Sequence, residues 1–332
     1  MTSKGWDIRL VTPEPARRRR RFLRMDVSGR RLALLLIVVA SLTAAGLIDS
    51  LVGRATRAET STSGATAQAL ATGSEVPSSR AESSAWFCAG GVTSGSVAPV
   101  TLELTNPTSR KVDGTVSAVS TTGGAHEFAV SVPPHAQVSS APSQAGSGSW
   151  VAATVVFDGG GVGASEVVAG PLGWSAAPCA SSASSHWYFA HGSTDSGSSL
   201  SLCLYNPLTT DAVVDVGLDS STQGFVEPPA YQGIPVPGGS LVVENVGDHL
   251  LNDPSVGTEV TTLSGAVVAT ELLTTPLGSG GGTSLLLGAP SPAPRWEFPQ
   301  SLDPSGGAVV FDVLNPSAKR VSVKVDIGLA EG

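Results

Sequence analysis

From residue 86 onward apolar and polar side chains alternate in short runs, and three of these runs sit inside one repeated phrase. It starts with WFCAGG at Trp86, WYFAHG at Trp187 and WEFPQS at Trp296, and it ends on VTLELTNP, LSLCLYNP and VVFDVLNP. The distance from each Trp to its Asn-Pro pair at Asn106, Asn206 and Asn315 is 20, 19 and 19 residues. Period-two alternation over six or seven residues predicts a strand with one buried face. Asn-Pro stops it, because Pro has no N–H for a ladder and Asn favours turn geometry. A second alternating stretch follows at 112–119, 212–218 and 321–327, so each phrase is a strand, a turn and a strand, either a hairpin or an arch between sheets.

Two of the phrases continue into full units. Each closes on a matching pair, 153–168 and 258–273, which reads as a hairpin turning at Gly159 to Gly161 and at Ser264-Gly265, with Glu166 and Glu271 in the same place. The units begin at 86, 187 and 296. Many short strands per hundred residues, frequent turn signals and no helical periodicity predict an all-β chain of tandem, immunoglobulin-like β-sandwiches. Their bounds are 86–178 and 179–275, followed by a Gly/Pro-rich linker at 276–295 and a partial third unit at 296–332. Trp86, Trp187 and Trp296 are expected to plug the cores, the functional alternative being exposed rings that stack on sugars.

The N-terminal region has a different pattern. Residues 32–48 carry no charge, and with an extension to 52 they cover about 30 Å as a helix, enough to span a bilayer. The preceding leader, 1–31, holds ten Lys and Arg against three Asp and Glu, while the whole chain has a net charge of -8. Positive residues stay inside, so the expected topology is a single-pass membrane protein with a cytoplasmic N-terminus and extracellular domains. A cleaved signal peptide is the rival reading. Residues 53–85, rich in Ser, Thr and Ala, read as a disordered stalk. An acidic remainder argues against nucleic acid as a partner.

Three cysteines lie on the oxidising side of that membrane segment. Cys88 and Cys179 bracket the first unit and are expected to form a disulfide, whereas Cys203 falls inside an alternating strand and reads as a small buried hydrophobe.

No catalytic, phosphate-binding or zinc motif is present, and no cofactor or metal is expected. His186, His191 and Asp195 are near one another in sequence, but the counterparts of His191 are Gly90 and Gln300, so they read as loop residues. Glu166 and Glu271 resemble an acid–base pair, yet their equivalent places in separate units favour a structural contact. The acidic stretch Asp248 to Asp253 lacks the ligand order of a calcium loop. Gly192-Ser193-Thr194 reads as a turn.

The Cys179 to Trp187 spacing, the Gly192-Ser193-Thr194 turn and Asn206-Pro207 together resemble the actinobacterial membrane-anchored proteins grouped as the domain of unknown function 5719 family. The resemblance runs over about 86–332 and implies an envelope protein, secreted or membrane-tethered, with no assigned activity. The expected function is therefore non-enzymatic: extracellular β-domains that bind a protein partner or a cell-wall glycan. The alternative is an enzyme or accessory subunit of envelope polysaccharide assembly.

The third phrase supplies two strands where the family pattern continues, and an isolated pair is marginal in water. It is expected to behave as a stub of a unit rather than as part of the second sandwich. Deleting residues 290–332 should leave the thermal unfolding midpoint of the remaining ectodomain unchanged; a drop of many degrees would show that the second unit needs these strands.

Overall fold

In this computed structural model the described residues are 75–92, 99–142, 150–276, 281–298 and 310–327. The basic leader and the apolar segment 32–52 lie outside them, and among the described residues no helix is long and apolar enough to cross a membrane.

The described chain is all-β, in four antiparallel sheets. The first unit contains β1 (Ser84–Val92), β2 (Val100–Asn106), β3 (Val112–Ser120), β4 (Ala125–Val132), β5 (Ala136–Ser140), β6 (Trp150–Phe157), β7 (Gly163–Gly170) and β8 (Gly173–Pro178). One of its sheets runs β1-β6-β3-β4 and the other β5-β2-β7-β8. The second unit contains β9 (His186–Phe189), β10 (Ser199–Asn206), β11 (Ala212–Ser220), β12 (Gly224–Val226), β13 (Ile234–Val236), β14 (Ser240–Asn245), β15 (Val256–Ser264), β16 (Val268–Thr274) and β17 (Thr283–Leu287). Its sheets run β9-β15-β11-β12 and β14-β10-β16-β17, with β13 also paired to β11. The order matches the first unit strand for strand. The register matches too, since Leu102 faces Glu166 in one unit and Leu202 faces Glu271 in the other.

The two strands of a phrase lie in opposite sheets, so Asn-Pro turns an arch. Period-two alternation explains why: each strand has one face to bury, and placing β2 and β3 in facing sheets turns both apolar faces into one core. The side chain of the buried Asn106 closes the arch. Its Nδ2 donates to the Arg110 carbonyl at 2.7 Å and to the Val132 carbonyl at 3.0 Å, while its Oδ1 accepts the Thr108 N–H at 3.0 Å. Asn206 repeats this with the Thr210 and Val236 carbonyls, both at 2.9 Å, and the Leu208 N–H at 3.0 Å.

Trp86 and Trp187 fill the cores and are fully buried. Each indole N–H donates to a carbonyl beside the next sheet, Val162 at 3.0 Å and Val267 at 2.8 Å, so the polar atom is satisfied inside an apolar site. Trp296 differs: it is 43% exposed.

Three features depart from the sequence reading. The closing pairs β6/β7 and β15/β16 are arches, not hairpins, because their members belong to opposite sheets. The stretch 276–295 is more than a linker: β17 pairs with β16 from Thr270 opposite Leu287 to Thr274 opposite Thr283, supplying the eighth position that β8 fills in the first unit. The end of the stalk is also ordered. Gly161 N–H donates to the Pro77 carbonyl, Glu75 N–H to the Ser181 hydroxyl and the Arg110 guanidinium to the Ser79 carbonyl, so residues 75–83 lie along the first sandwich.

The sandwiches share their packing. Leu272 and Leu285 of the second unit join the first core, whereas Ala89, Ala152 and Ala180 join the second. The Tyr205 hydroxyl meets the Thr154 hydroxyl at 2.7 Å across this seam. The expected disulfide is present: Cys88 and Cys179 are bonded, with Cα atoms 4.6 Å apart. Cys203 is free and buried in the seam.

The arch brace has a measurable weight. Asn206→Ala should lower unfolding free energy by roughly 2–4 kcal/mol, since it strands a buried carbonyl and an N–H. Asn315→Ala, in the exposed third arch, should cost less than about 0.5 kcal/mol. Urea unfolding of the two variants against the parent checks the contrast.

Candidate functional site

Alternation along β7 places Ala164, Glu166 and Val168 toward the first core, and the same alternation along β16 places Ala269, Glu271 and Leu273 toward the second. Both glutamates are 1% exposed. They do not converge, because each sits inside its own sandwich.

Their surroundings differ at one backbone position. The ladder between β1 and β6 is interrupted between Cys88 and Gly91, and Gly90 takes φ +122°, where a Cβ would collide with the Val151 carbonyl. Only glycine fits there. The turned backbone presents the Gly90 N–H to Glu166 Oε1 at 2.8 Å, leaving Oε2 without a hydrogen bond. In the second unit the same place is held by His191, which does not take a left-handed conformation, and neither oxygen of Glu271 closes a hydrogen bond. Burial raises both carboxyls. Glu166 is pushed to about 7, restrained by the Gly90 N–H, and Glu271 to about 8, where the adjacent Thr258 hydroxyl offsets only a part.

The Gly192-Ser193-Thr194 turn is fastened by Asp253, a residue that sequence reasoning placed only in an acidic loop. The Thr194 N–H donates to the Asp253 carbonyl at 2.8 Å, and the Asp253 N–H donates to the Thr194 hydroxyl at 3.1 Å. The Asp253 carboxylate accepts from the hydroxyls of Ser220, Ser221 and Thr222 and from the Ser255 N–H. Burial alone would raise this carboxyl, but those donors outweigh it and hold it well below the usual carboxylate range. Asp253 thus ties three loops together at one end of the second sandwich.

On the outer face of the β9-β15-β11-β12 sheet, a second group comes together that the sequence did not mark. Glu259 stands opposite Tyr188 on one side and Gly217 on the other, with Asp219 next along β11. Partial burial, then the charge of the neighbouring Asp219, pushes Glu259 up to about 7. Burial and Glu259 raise Tyr188 as well. The third phrase reaches this face: the Leu314 side chain is 3.1 Å from where a Cβ on Gly257 would be, and Asp312 Oδ2 meets His191 Nδ1 at 2.8 Å. His186 instead contacts the Ser185 hydroxyl, and Asp195 caps Ser196, so these residues and His191 form no common ligand set.

Cys88, Glu166 and Cys179 place their sulfurs and a carboxylate oxygen within 4.8 Å of one another. Both sulfurs are committed to the disulfide, so the trio offers a metal one carboxylate and nothing more.

The third phrase keeps its own brace, with Asn315 Nδ2 donating to the Lys319 carbonyl at 2.7 Å, but no sheet partner accompanies its described residues. Its alternating apolar side chains, Phe311, Val313, Val321, Val323, Val325 and Ile327, are consequently exposed, together with Trp296 and Phe298.

Comparison with known proteins gives one family. Residues 161–332 match a family described as "Family of unknown function (DUF5719)". The chain is similar to the crystal structure of Thermotoga maritima 1070 at 13% identity and a TM-score of 0.28, over 35% of this chain and 96% of that one. No curated protein matches.

The buried carboxyls predict a pH dependence of known sign. Glu166 and Glu271 hold their protons more tightly folded than unfolded, so their contribution is intact below about 4.5 and is lost as pH rises through about 7 and about 8. At about 1.4 kcal/mol per pKa unit the loss is on the order of 3–5 kcal/mol per group, larger for Glu271. Glu166→Gln and Glu271→Gln should each flatten the fall in unfolding free energy between pH 5 and 9, read from denaturant titrations at each pH; parallel curves for parent and variants would contradict it.

Proposed function

The chain belongs to the family of unknown function DUF5719, and from that premise we propose that it is a non-catalytic, single-pass cell-envelope protein whose immunoglobulin-like sandwiches bind a protein partner outside the membrane. The observation that carries this reading is the distribution of exposed apolar side chains. Among the described residues they concentrate in the third phrase, from Trp296 to Ile327, rather than on the two sandwiches. Exposed apolar side chains gathered in one segment mark an interaction site more often than they decorate a solvated surface. Alternating Val and Phe on extended backbone suit an added β-strand from a protein better than a sugar ring, which favours flat aromatic faces.

Three further observations support it. The Cys88–Cys179 disulfide suits an oxidising compartment. The basic leader and the apolar run 32–52 suit a retained anchor with the sandwiches outside. The buried polar residues Asn106, Asn206 and Asp253 are spent on bracing loops.

One observation favours the enzymatic reading, in envelope polysaccharide assembly: the neighbouring carboxyls of Asp219 and Glu259 on an outer sheet face. The two readings separate in one experiment. A photocrosslinking amino acid at position 323 of the full-length chain, in intact cells, should yield one discrete protein adduct, and the same probe at Leu251 should yield none. Added protease should remove the sandwiches from cells stripped of their wall. Equal crosslinking at both positions, or hydrolysis of envelope polysaccharide lost in Asp219→Asn and Glu259→Gln, would replace the binding reading with the enzymatic one.

A further inference from the structure

A disulfide and a carboxyl buried beside it invite a chemical question. Closing a disulfide needs a thiolate, since the neutral thiol is a poor nucleophile. Cys88 and Cys179 are each 1% exposed, and burial in apolar surroundings disfavours the thiolate. Buried Cys203 shows the same effect, its thiol pushed far up by burial and by the charges of Glu166 and Glu271. A pair of thiols in this core therefore needs a proton acceptor at hand once the fold closes over it.

Glu166 stands in that place. Its carboxylate oxygen lies within 4.8 Å of both sulfurs, and Oε2 has no hydrogen bond. The Gly90 N–H fixes Oε1 and so orients the group. The titratable groups facing it among the described residues are the two bonded cysteines, from β1 and from the segment after β8, and Cys203 on β10 across the seam. We propose that Glu166 is the resident proton acceptor for closure of the Cys88–Cys179 disulfide.

The step balances with an external disulfide as oxidant. With the edge strand β1 opened, one cysteine meets the oxidant, forms a mixed disulfide and releases the first thiol, and reclosure brings the remaining cysteine beside Glu166. The remaining cysteine gives its proton to Glu166 and attacks the mixed disulfide as a thiolate. The Cys88–Cys179 bond forms, the bond to the oxidant breaks, and the expelled thiolate takes the proton held by Glu166. The net change is two protein thiols and one disulfide oxidant converted into the protein disulfide and two small thiols. Run backward with a dithiol reductant, the same carboxyl protonates the departing cysteine sulfur. A carboxyl that titrates at about 7 suits this exchange, because a proton acceptor works best when its pKa lies near the working pH.

The second sandwich provides an internal control. Glu271 occupies the equivalent, equally buried position, but the counterpart of Cys88 is Phe189 and no second sulfur is present. A role confined to packing would affect both glutamates alike.

The full-length chain is reduced under native conditions, freed of reductant and reoxidised with oxidised glutathione between pH 5 and 9. Conversion of the mixed disulfide to the Cys88–Cys179 bond is followed by acid quenching, alkylation and peptide mass. Glu166→Gln should slow that step at least tenfold at pH 7.5 and make its rate climb with pH throughout the range, whereas the parent levels off above the Glu166 titration. Glu166→Asp, which keeps a carboxyl on a shorter arm, should fall between them, and Glu271→Gln should match the parent. Closure of Glu166→Gln at the parental rate, or equal slowing by Glu271→Gln, would overturn the proposal. Should Glu166→Gln fail to fold, a Glu166→Asp rate equal to that of the parent with an unchanged pH profile overturns it as well.

Discussion

Everything in the two sandwiches follows from a crossing: the chain must leave one sheet at Asn106 or Asn206 and enter the facing sheet within a few residues, inside a region where backbone groups cannot reach water. A free arch would leave buried carbonyls without donors, at a cost of about 1–3 kcal/mol each. The asparagine amide supplies those donors from within the turn, to Arg110 and Val132 in one unit and to Thr210 and Val236 in the other. Because the neighbouring sheet carbonyl is one of the acceptors, the amide also fixes where the next strand lies. Proline after it removes an N–H that would have no partner. The strand order of each unit is built out from that junction.

Against this economy the two buried glutamates stand out as a cost. A carboxyl without a charged partner survives in a core by keeping its proton, and both do so near neutrality. Their unlike hydrogen bonding traces to one substitution between the repeats. Glycine at 90 allows a backbone conformation that aims an N–H inward, while His191 at the matching place sends its ring outward to Asp312. The repeat thus keeps a common frame, while Gly90 and the disulfide beside it distinguish the first core from the second.

Much of the frame was legible in the sequence. Alternation before Asn-Pro marked β2 and β10, and the bracketing positions of Cys88 and Cys179 marked the disulfide, because both signals are local or depend on the ends of a unit. Which sheet a strand joins is not local. Residues 153–168 contain two strands and a glycine turn whether they form a hairpin or an arch, and only the competing partners β1, β3 and β2 decide. β17 was hidden because TSLLL is short and embedded in Gly and Pro, its burial coming from β16 and the first core rather than from its own pattern. Asp253, Asp219 and Glu259 left no signal in spacing, since their partners come from strands and loops far along the chain. Glu166 and Glu271 were visible as a recurrence, yet their seclusion in separate cores depends on facing sheets that no single segment encodes.

The position of the disulfide also decides how the protein would carry load. Cys88 lies on the first strand, and Cys179 lies just before the chain passes into the second unit, with Ala180 paired to Phe87 beside it. Tension along the chain would enter β1, cross one sulfur–sulfur bond and leave directly into β9. The intervening strands β2 to β8 hang from this path as a closed loop of 91 residues in sequence separation and bear none of the pull. The first sandwich would therefore keep its shape under a force that strips the second, and the distance between its two ends would stay fixed at the span of a single covalent bridge.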